Sequence, residues 1–274
     1  VTTGLGQVIP SGKVQVIQNL EGGIVSDIRV HEGEEVHEGD VLVLIDNTQF
    51  LSKYEEDRAK YLGLSAAAAL LQAEVEGRAP TFPDEVREAN PTLVRNKLAL
   101  HAARRAELRS SVAVLRRQVD QKKQELVELD TRIKQAERSM ALAQEELAIT
   151  QPMVERGVTS KIDLIRLQRD LTEIETVLLG SQQAVPRAQS ALEEAEKKIE
   201  ERMALFRKEA LAERNEAELN ISALSKVLTS AKDRLSRTEV RAPVTGTVKT
   251  LYVNTVGGVI KPGQDLVEIV PREE

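Results

Sequence analysis

The sequence predicts an α+β chain, mostly α, in which a long antiparallel coiled-coil hairpin of three helices is inserted between the two halves of a small β-sandwich. Three observations carry this. Apolar residues recur in alternating steps of four and three through the middle of the chain. A short break separates two such runs, so the second folds back on the first. A β motif near the N-terminus returns, in the same order, near the C-terminus.

Composition agrees with the helical middle. Aromatic residues are 2% of the chain and charged residues 30%, far from the mixture of an aromatic-filled globular core. The net charge of −6 over 274 residues is modest and both signs are interleaved. The charges read as solvated helix flanks, with no basic face for nucleic acid. With no cysteine, a disulfide scaffold and a thiolate metal site are excluded, which suits an oxidising compartment. The longest uncharged helical run, Leu62 to Ala73, is short of the ~20 residues that span a bilayer. No signal peptide is expected ahead of Val1, and the chain is expected to be soluble, as a piece of a protein anchored elsewhere.

Residues 1–17 read as short extended segments punctuated by Gly4, Gly6, Pro10 and Gly12. Residues 18–47 form the first half-motif, with strand periodicity from Ile24 to Asp46 and turns at Gly22-Gly23, Gly33 and Gly39, where glycine supplies positive φ. The second half-motif, 239–271, matches it. Gly23-Ile24-Val25 aligns with Gly246-Thr247-Val248, Ile28 with Leu251, Gly33 with Gly257, Val36 with Ile260, Gly39 with Gly263 and Leu42 with Leu266. Neither half can bury both faces of a few short strands, so the two are expected to pack together.

Between them, residues 48–238 carry three helices. The first, about 48–76, stops at Gly77, and Pro80, Pro83 and Pro91 hold a loop open. The second, about 92–150, carries the seam Val94, Leu98, Leu108, Val112, Leu115, Val119, Leu126, Leu129, Ile133, Ala136, Met140, Ala143 and Leu147, skipping only at His101, Arg105 and Lys122. Roughly eight heptads in one phase mark a coiled coil. The third, about 161–238, answers it from Leu164 to Leu235, with double steps of four at Met203 and Ile221 that locally unwind the supercoil. Pro186 predicts a kink there, and Pro152 a bend or interruption near the end of the second helix. The joint, 151–160, has Gly157 as a left-handed C-terminal cap and Ser160 with Asp163 as a capping box. Its apolar residues Met153, Val154 and Val158 have no seam partner.

Little in the chain reads as chemistry. His31, His37 and His101 are scattered and read as surface histidines, because ligation needs convergence. No nucleophile elbow, Walker loop or dinucleotide fingerprint is present, and the acidic residues have helix-surface spacing. No catalytic, cofactor-binding or metal-binding residues are expected, and an enzyme is improbable. The β repeat resembles the lipoyl/biotinyl fold, whose carrier members display a modifiable lysine on the hairpin joining the halves. Here the helical insertion replaces that hairpin. Lys53 and Lys261 do not fit the place, so a swinging-arm carrier is the weaker reading.

The whole pattern resembles the HlyD-like periplasmic adaptor (membrane fusion protein) family of bacterial type I secretion systems. The residues carrying the resemblance are the 17–25 stretch Ile-Gln-Asn-Leu-Glu-Gly-Gly-Ile-Val, the 241–248 stretch Arg-Ala-Pro-Val-Thr-Gly-Thr-Val, Asn254 to Val259, Lys261-Pro262-Gly263 and Glu268 to Pro271. The joint from Pro152 to Lys161 and its descent through Leu164 to Leu167 belong with them. The resemblance implies a periplasmic subunit bridging an inner-membrane ABC exporter to a TolC-like outer-membrane channel. Such subunits assemble as a homo-oligomeric ring, commonly hexameric, and are held to the membrane by an N-terminal anchor absent from this chain. It makes residues 1–17 a remnant of β-barrel strands. In a related branch an Arg, a Leu and a Ser at the tip meet the channel. Counting back from Ser160, Met153 holds the Leu place and Ile149 the Arg place, with Arg156 nearby. The implied contact set is Ile149, Met153, Arg156, Gly157, Val158 and Ser160. A drug-efflux adaptor shares the architecture, and a non-transport coiled-coil spacer is the rival of a different class. The Leu20-Glu21-Gly22-Gly23 stretch favours protein secretion.

Overall fold

The computed structural model describes residues 14–272. They comprise eight strands and four helices: β1 (Gln15–Asn19), β2 (Gly23–Ile28), β3 (Glu35–Val36), β4 (Val41–Ile45), α1 (Thr48–Glu76), α2 (Asp84–Ala89), α3 (Pro91–Glu155), α4 (Lys161–Ser236), β5 (Glu239–Arg241), β6 (Gly246–Leu251), β7 (Val259–Ile260) and β8 (Gln264–Pro271). Two compact units divide the chain, one of Val1–Ala69, Thr81–Val94 and Arg214–Glu274, the other of Leu70–Pro80 and Arg95–Glu213.

The first unit holds the β-sandwich. Its sheets run β1-β8-β6-β3 and β5-β4-β2-β7, so each sheet takes strands from both half-motifs. Exchanging each strand for its repeat mate turns one order into the other. The register obeys the same exchange. Val25 pairs with Ile45 where Val248 pairs with Ile269, and both ladders slip one residue later, before Asp27 and before Thr250. Gly23 pairs with Ile260 as Gly246 pairs with Val36. The two halves are therefore related by a pseudo-twofold and interlock, and Val25, Val36, Leu42, Val248, Ile260 and Leu266 meet in one core.

Strand alternation would bury every second residue, yet Leu42-Val43 and Leu266-Val267 are consecutive and fully buried. The register shift between Val41 and Val43 and the shift in the β1–β8 ladder, where Ile17 pairs with Val267 and Gln18 with Asp265 so that Leu266 is the extra residue, account for this, because a bulge re-aims one side chain. The barrel remnant expected over 1–17 lies, for residues 1–13, outside the described residues. Its last residues, from Gln15, instead belong to β1 and pair with β8 from Gln15↔Ile269 onward.

Asn19 ties the first half-motif to the end of α4. It is buried; its Oδ1 accepts from the backbone N–H of Glu21 and Gly22 at 2.9 and 2.8 Å, and its Nδ2 donates to the Arg237 carbonyl at 2.9 Å. That geometry turns the chain at Gly22, where φ is +70° and a Cβ would stand 2.7 Å from the Ile260 carbonyl. Only glycine fits.

α1 opens on Asp46, whose carboxylate accepts from Thr48 N–H and Oγ1–H at 2.9 and 2.6 Å. These bonds hold its pKa below the usual value. The segment expected as an open loop carries α2, which buries Val86, with Phe82 buried just before it. Pro91 is the first residue of α3, where its missing N–H costs nothing, and Asn90 Oδ1 caps Leu93 N–H at 2.9 Å.

In the second unit α3 and α4 form the hairpin. The α3 seam is half or fully buried from Val112 through Leu147 and goes on through Thr150 to Val154. Val154, expected to be a partnerless tip residue, is its last member. Leu98, expected in the seam, is exposed, and the half-buried place before His101 falls to Lys97; the skip placed at Arg105 falls at Arg104, and Lys122 keeps its seam place with its aliphatic stem half-buried. On α4 the seam passes through Arg202 to Phe206, leaving Met203 exposed. The double step of four comes at Phe206, Ala210 and Arg214. Pro152 does not interrupt α3, which runs to Glu155, and Pro186 lies inside α4. Each proline removes one ladder bond, and the packed seam on either side outweighs that loss.

Candidate functional site

The joint between α3 and α4 is closed by a Schellman motif. Gly157 adopts φ +77°, its N–H donates to the Val154 carbonyl at 2.9 Å, and Val158 N–H donates to Met153 O at 2.9 Å. A Cβ on Gly157 would meet nothing within 4 Å, so the backbone angle alone selects glycine. Ser160 Oγ caps α4 by accepting from Ile162 N–H at 3.2 Å. The other half of the expected capping box is replaced: the Asp163 carboxylate turns along α4 to Arg166, at 3.8 Å.

This closure leaves Met153, Arg156, Gly157, Val158 and Ser160 exposed at the end of the hairpin, Val158 at 67%. Ile149 is also exposed, but it stands more than a turn back along α3, on the flank. Ile162 and Ile165, both 62% exposed, lie on the first turns of α4 and were absent from the expected contact set. Their signal was in the sequence, since both are apolar residues outside the seam positions Leu164 and Leu167. The tip offers apolar side chains on a rigid turn and no nucleophile with a base beside it. It can bind a protein surface.

A partly buried polar cluster sits deeper in the same unit. Arg104 Nη1 and Nη2 donate to Glu213 at 2.9 and 3.3 Å, Arg104 Nε lies 3.3 Å from the Glu74 carboxylate, and the guanidinium stands 5.9 Å from the Phe206 ring centroid. Both Glu74 oxygens are buried without a hydrogen-bond partner. Burial pushes the Glu74 pKa up, and Arg104 offsets this in part. His101, expected at the surface, is buried with Nε2 unpartnered, and burial and the charge of Arg105 push its pKa down. A histidine at a seam position is buried by the packing of the helices, whatever its polarity. His31 and His37 are exposed and lie 3.5 and 3.7 Å from Glu34 and Asp40. Among the described residues no three His, Asp or Glu side chains gather as metal ligands, and no helix is long and apolar enough to cross a membrane.

Comparisons with known proteins agree on this architecture. The model of the family described as AprE, long alpha-helical hairpin, matches residues 50–234. The type I secretion system membrane fusion protein PrsE of Rhizobium meliloti strain 1021 is 29% identical over 275 residues, covering 98% of this chain and 63% of that protein. The alkaline protease secretion protein AprE of Pseudomonas aeruginosa is 29% identical over 274 residues, covering 97% and 63%. The chain thus spans less than two thirds of the length of these relatives. Among solved structures, the soluble domain of LipC, a membrane fusion protein of a type I secretion system, superposes with a TM-score of 0.88 at 24% identity, over 95% of this chain and 100% of that one. With the family model matching most of the chain and the hairpin it describes present in the structure, the protein belongs to the AprE long alpha-helical hairpin family of secretion membrane fusion proteins.

Proposed function

We propose that this chain is the periplasmic portion of a type I secretion adaptor that bridges an inner-membrane ABC exporter to a TolC-like outer-membrane channel. The hairpin serves as a strut, the interlocked β unit fixes its root, and copies of the chain assemble as a ring. The observation that carries the reading is the tip. A Schellman turn and a serine cap hold Met153, Arg156 and Val158 outward on a rigid support, which suits end-on docking of preformed helical surfaces at little ordering cost. The names of the relatives supply the secretion context.

The test uses the full-length protein in its secreting host. Met153→Asp with Val158→Asp abolishes export while leaving far-ultraviolet circular dichroism and membrane abundance unchanged. A photo-crosslinker at position 158 captures the outer-membrane channel. Normal secretion from the double variant would overturn tip docking.

A further inference from the structure

The last turns of α1 carry an acid where the helix end and the packed interface both disfavour its charge. Leu70–Pro80 belongs to the same compact unit as Arg95–Glu213 of the hairpin, and Leu70, Leu71 and Ala73 bury its apolar side. α1 closes at Gly77, where φ is +72° and Arg78 N–H donates to the Ala73 carbonyl at 3.0 Å. Glu74 lies in that final turn, which holds no basic residue. The carbonyl end of a helix carries partial negative charge, so a carboxylate there is repelled.

The surroundings do not make up for this. The Glu74 side chain is closed to solvent, and neither of its oxygens has a hydrogen-bond donor. Arg104 places Nε 3.3 Å away, but both its Nη atoms donate to Glu213, so its charge is already shared. The other charged groups at this level are Arg105 on α3, Arg207 and Glu209 on α4, and Glu76 and Arg78 on α1 itself, all exposed to water, which weakens their pull. Burying an ionised carboxylate without donors costs far more than burying a neutral carboxyl.

A way in for water adjoins the acid. With Gly77, Arg105, Phe206 and Arg207, Glu74 lines a cavity of about 100 Å³, room for several waters. Gly77, Arg105 and Arg207 are exposed, so the cavity opens to solvent.

We infer that Leu70–Pro80 is a strap whose hold on the hairpin is set by the protonation of Glu74: neutral, it lies closed; ionised, its last turn lifts and the carboxylate takes up water through the cavity. Burial holds the Glu74 proton more tightly in the fold. Closing therefore takes up a proton, and opening is favoured as pH rises from the ordinary carboxylate range through the raised value. His101 acts in the opposite direction, because burial favours its neutral form. The strap goes beyond the adaptor reading and does not depend on what the tip binds.

Hydrogen exchange on the full-length protein at pH 5 and pH 8, corrected for intrinsic rates, reads the strap. Amides of residues 71–78 lose protection at least several-fold at pH 8, while those of residues 53–60, on the first turns of α1, keep theirs. Glu74→Gln, which carries no charge at either pH, shows equal protection at both. Glu213→Gln, at a half-exposed side chain, frees the Arg104 fork for Glu74 and shrinks the loss. The comparisons are repeated with His101→Leu, which removes the opposing group. Equal protection of the strap at the two pH values in that background, or a loss that persists undiminished in Glu74→Gln, would overturn the proposal. If Glu74→Gln does not fold, an undiminished loss in Glu213→Gln overturns it instead.

Discussion

Arg237 Nη2 donates to Glu21 Oε1 at 2.7 Å, joining the residue just past α4 to the turn that follows β1. Asp233, one turn back, takes the other end of the guanidinium, and Arg234 lies 4.0 Å from Glu21. Together with the Asn19 bonds to the same segment, this fixes the return of the helical insertion onto the first half-motif.

Because Asn19 is buried and satisfies two backbone donors and one carbonyl, Asn19→Ala leaves all three without partners. It lowers stability by about 2–3 kcal/mol in denaturant melts. Asn19→Asp keeps the acceptor and loses the donor to Arg237 O, so it costs less. Glu21→Gln, at a partly exposed pair, costs about 1 kcal/mol or less and costs less still in high salt.

Two glycines separate backbone conformation from space. Gly157→Ala meets no neighbour and pays for positive φ, about 1 kcal/mol, with Gly157→Asn cheaper. Gly246→Ala drives a Cβ into the Val270 carbonyl, where backbone must move, and costs about 2–3 kcal/mol. Thermal melts of the three variants check the ranking.

The buried Glu74 has a folded-state pKa raised above its unfolded value. The folded protein therefore holds that proton more tightly, and this group's contribution to stability falls as pH rises from the ordinary carboxylate range through the raised value. Relative to the parent chain, Glu74→Gln is more favourable at pH 7 than at pH 4. Denaturant midpoints at the two pH values read this difference, and equal differences would contradict it.

His101 runs the other way. Its folded pKa is lowered, so its neutral form is favoured in the fold, and stability is lost as pH falls from the ordinary histidine range through the lowered value. His101→Leu removes that loss, and its melting temperature declines less than the parent's as pH falls below 6.

The repeat and the seam were legible in the sequence because each is a periodicity, and periodicity survives without knowing what touches what. The alignment of the two motifs makes the Val25–Ile45 and Val248–Ile269 pairs equivalent, while the register itself came from the structure. What periodicity could not place were the exceptions set by a third partner. Arg104 rather than Arg105 enters the seam, where it meets Glu74 and Glu213. Ala210, smallest of the seam residues there, takes the step expected at Met203. α2 was hidden among prolines whose fixed φ also suits a short helix after Pro83. At the tip, Gly157 and Ser160 declared themselves by residue type, while the exposure of Ile162 and Ile165 beside the seam was signalled only by their place off the Leu164 and Leu167 positions.

The interlocked β strands also set a schedule for synthesis. β1 and β3 leave the ribosome without any partner strand and the β2–β4 pair without the rest of its sheet, because each sheet needs β5 to β8, and about 190 residues of helix must be made first. At ~5–20 residues per second the early strands wait roughly 10–40 s with Leu42 and Val43 unshielded. The coiled coil, built from near neighbours around its joint, can zip in that interval and carry the late strands back to the waiting ones. A nascent chain stalled before Glu239 is then the species a chaperone should hold.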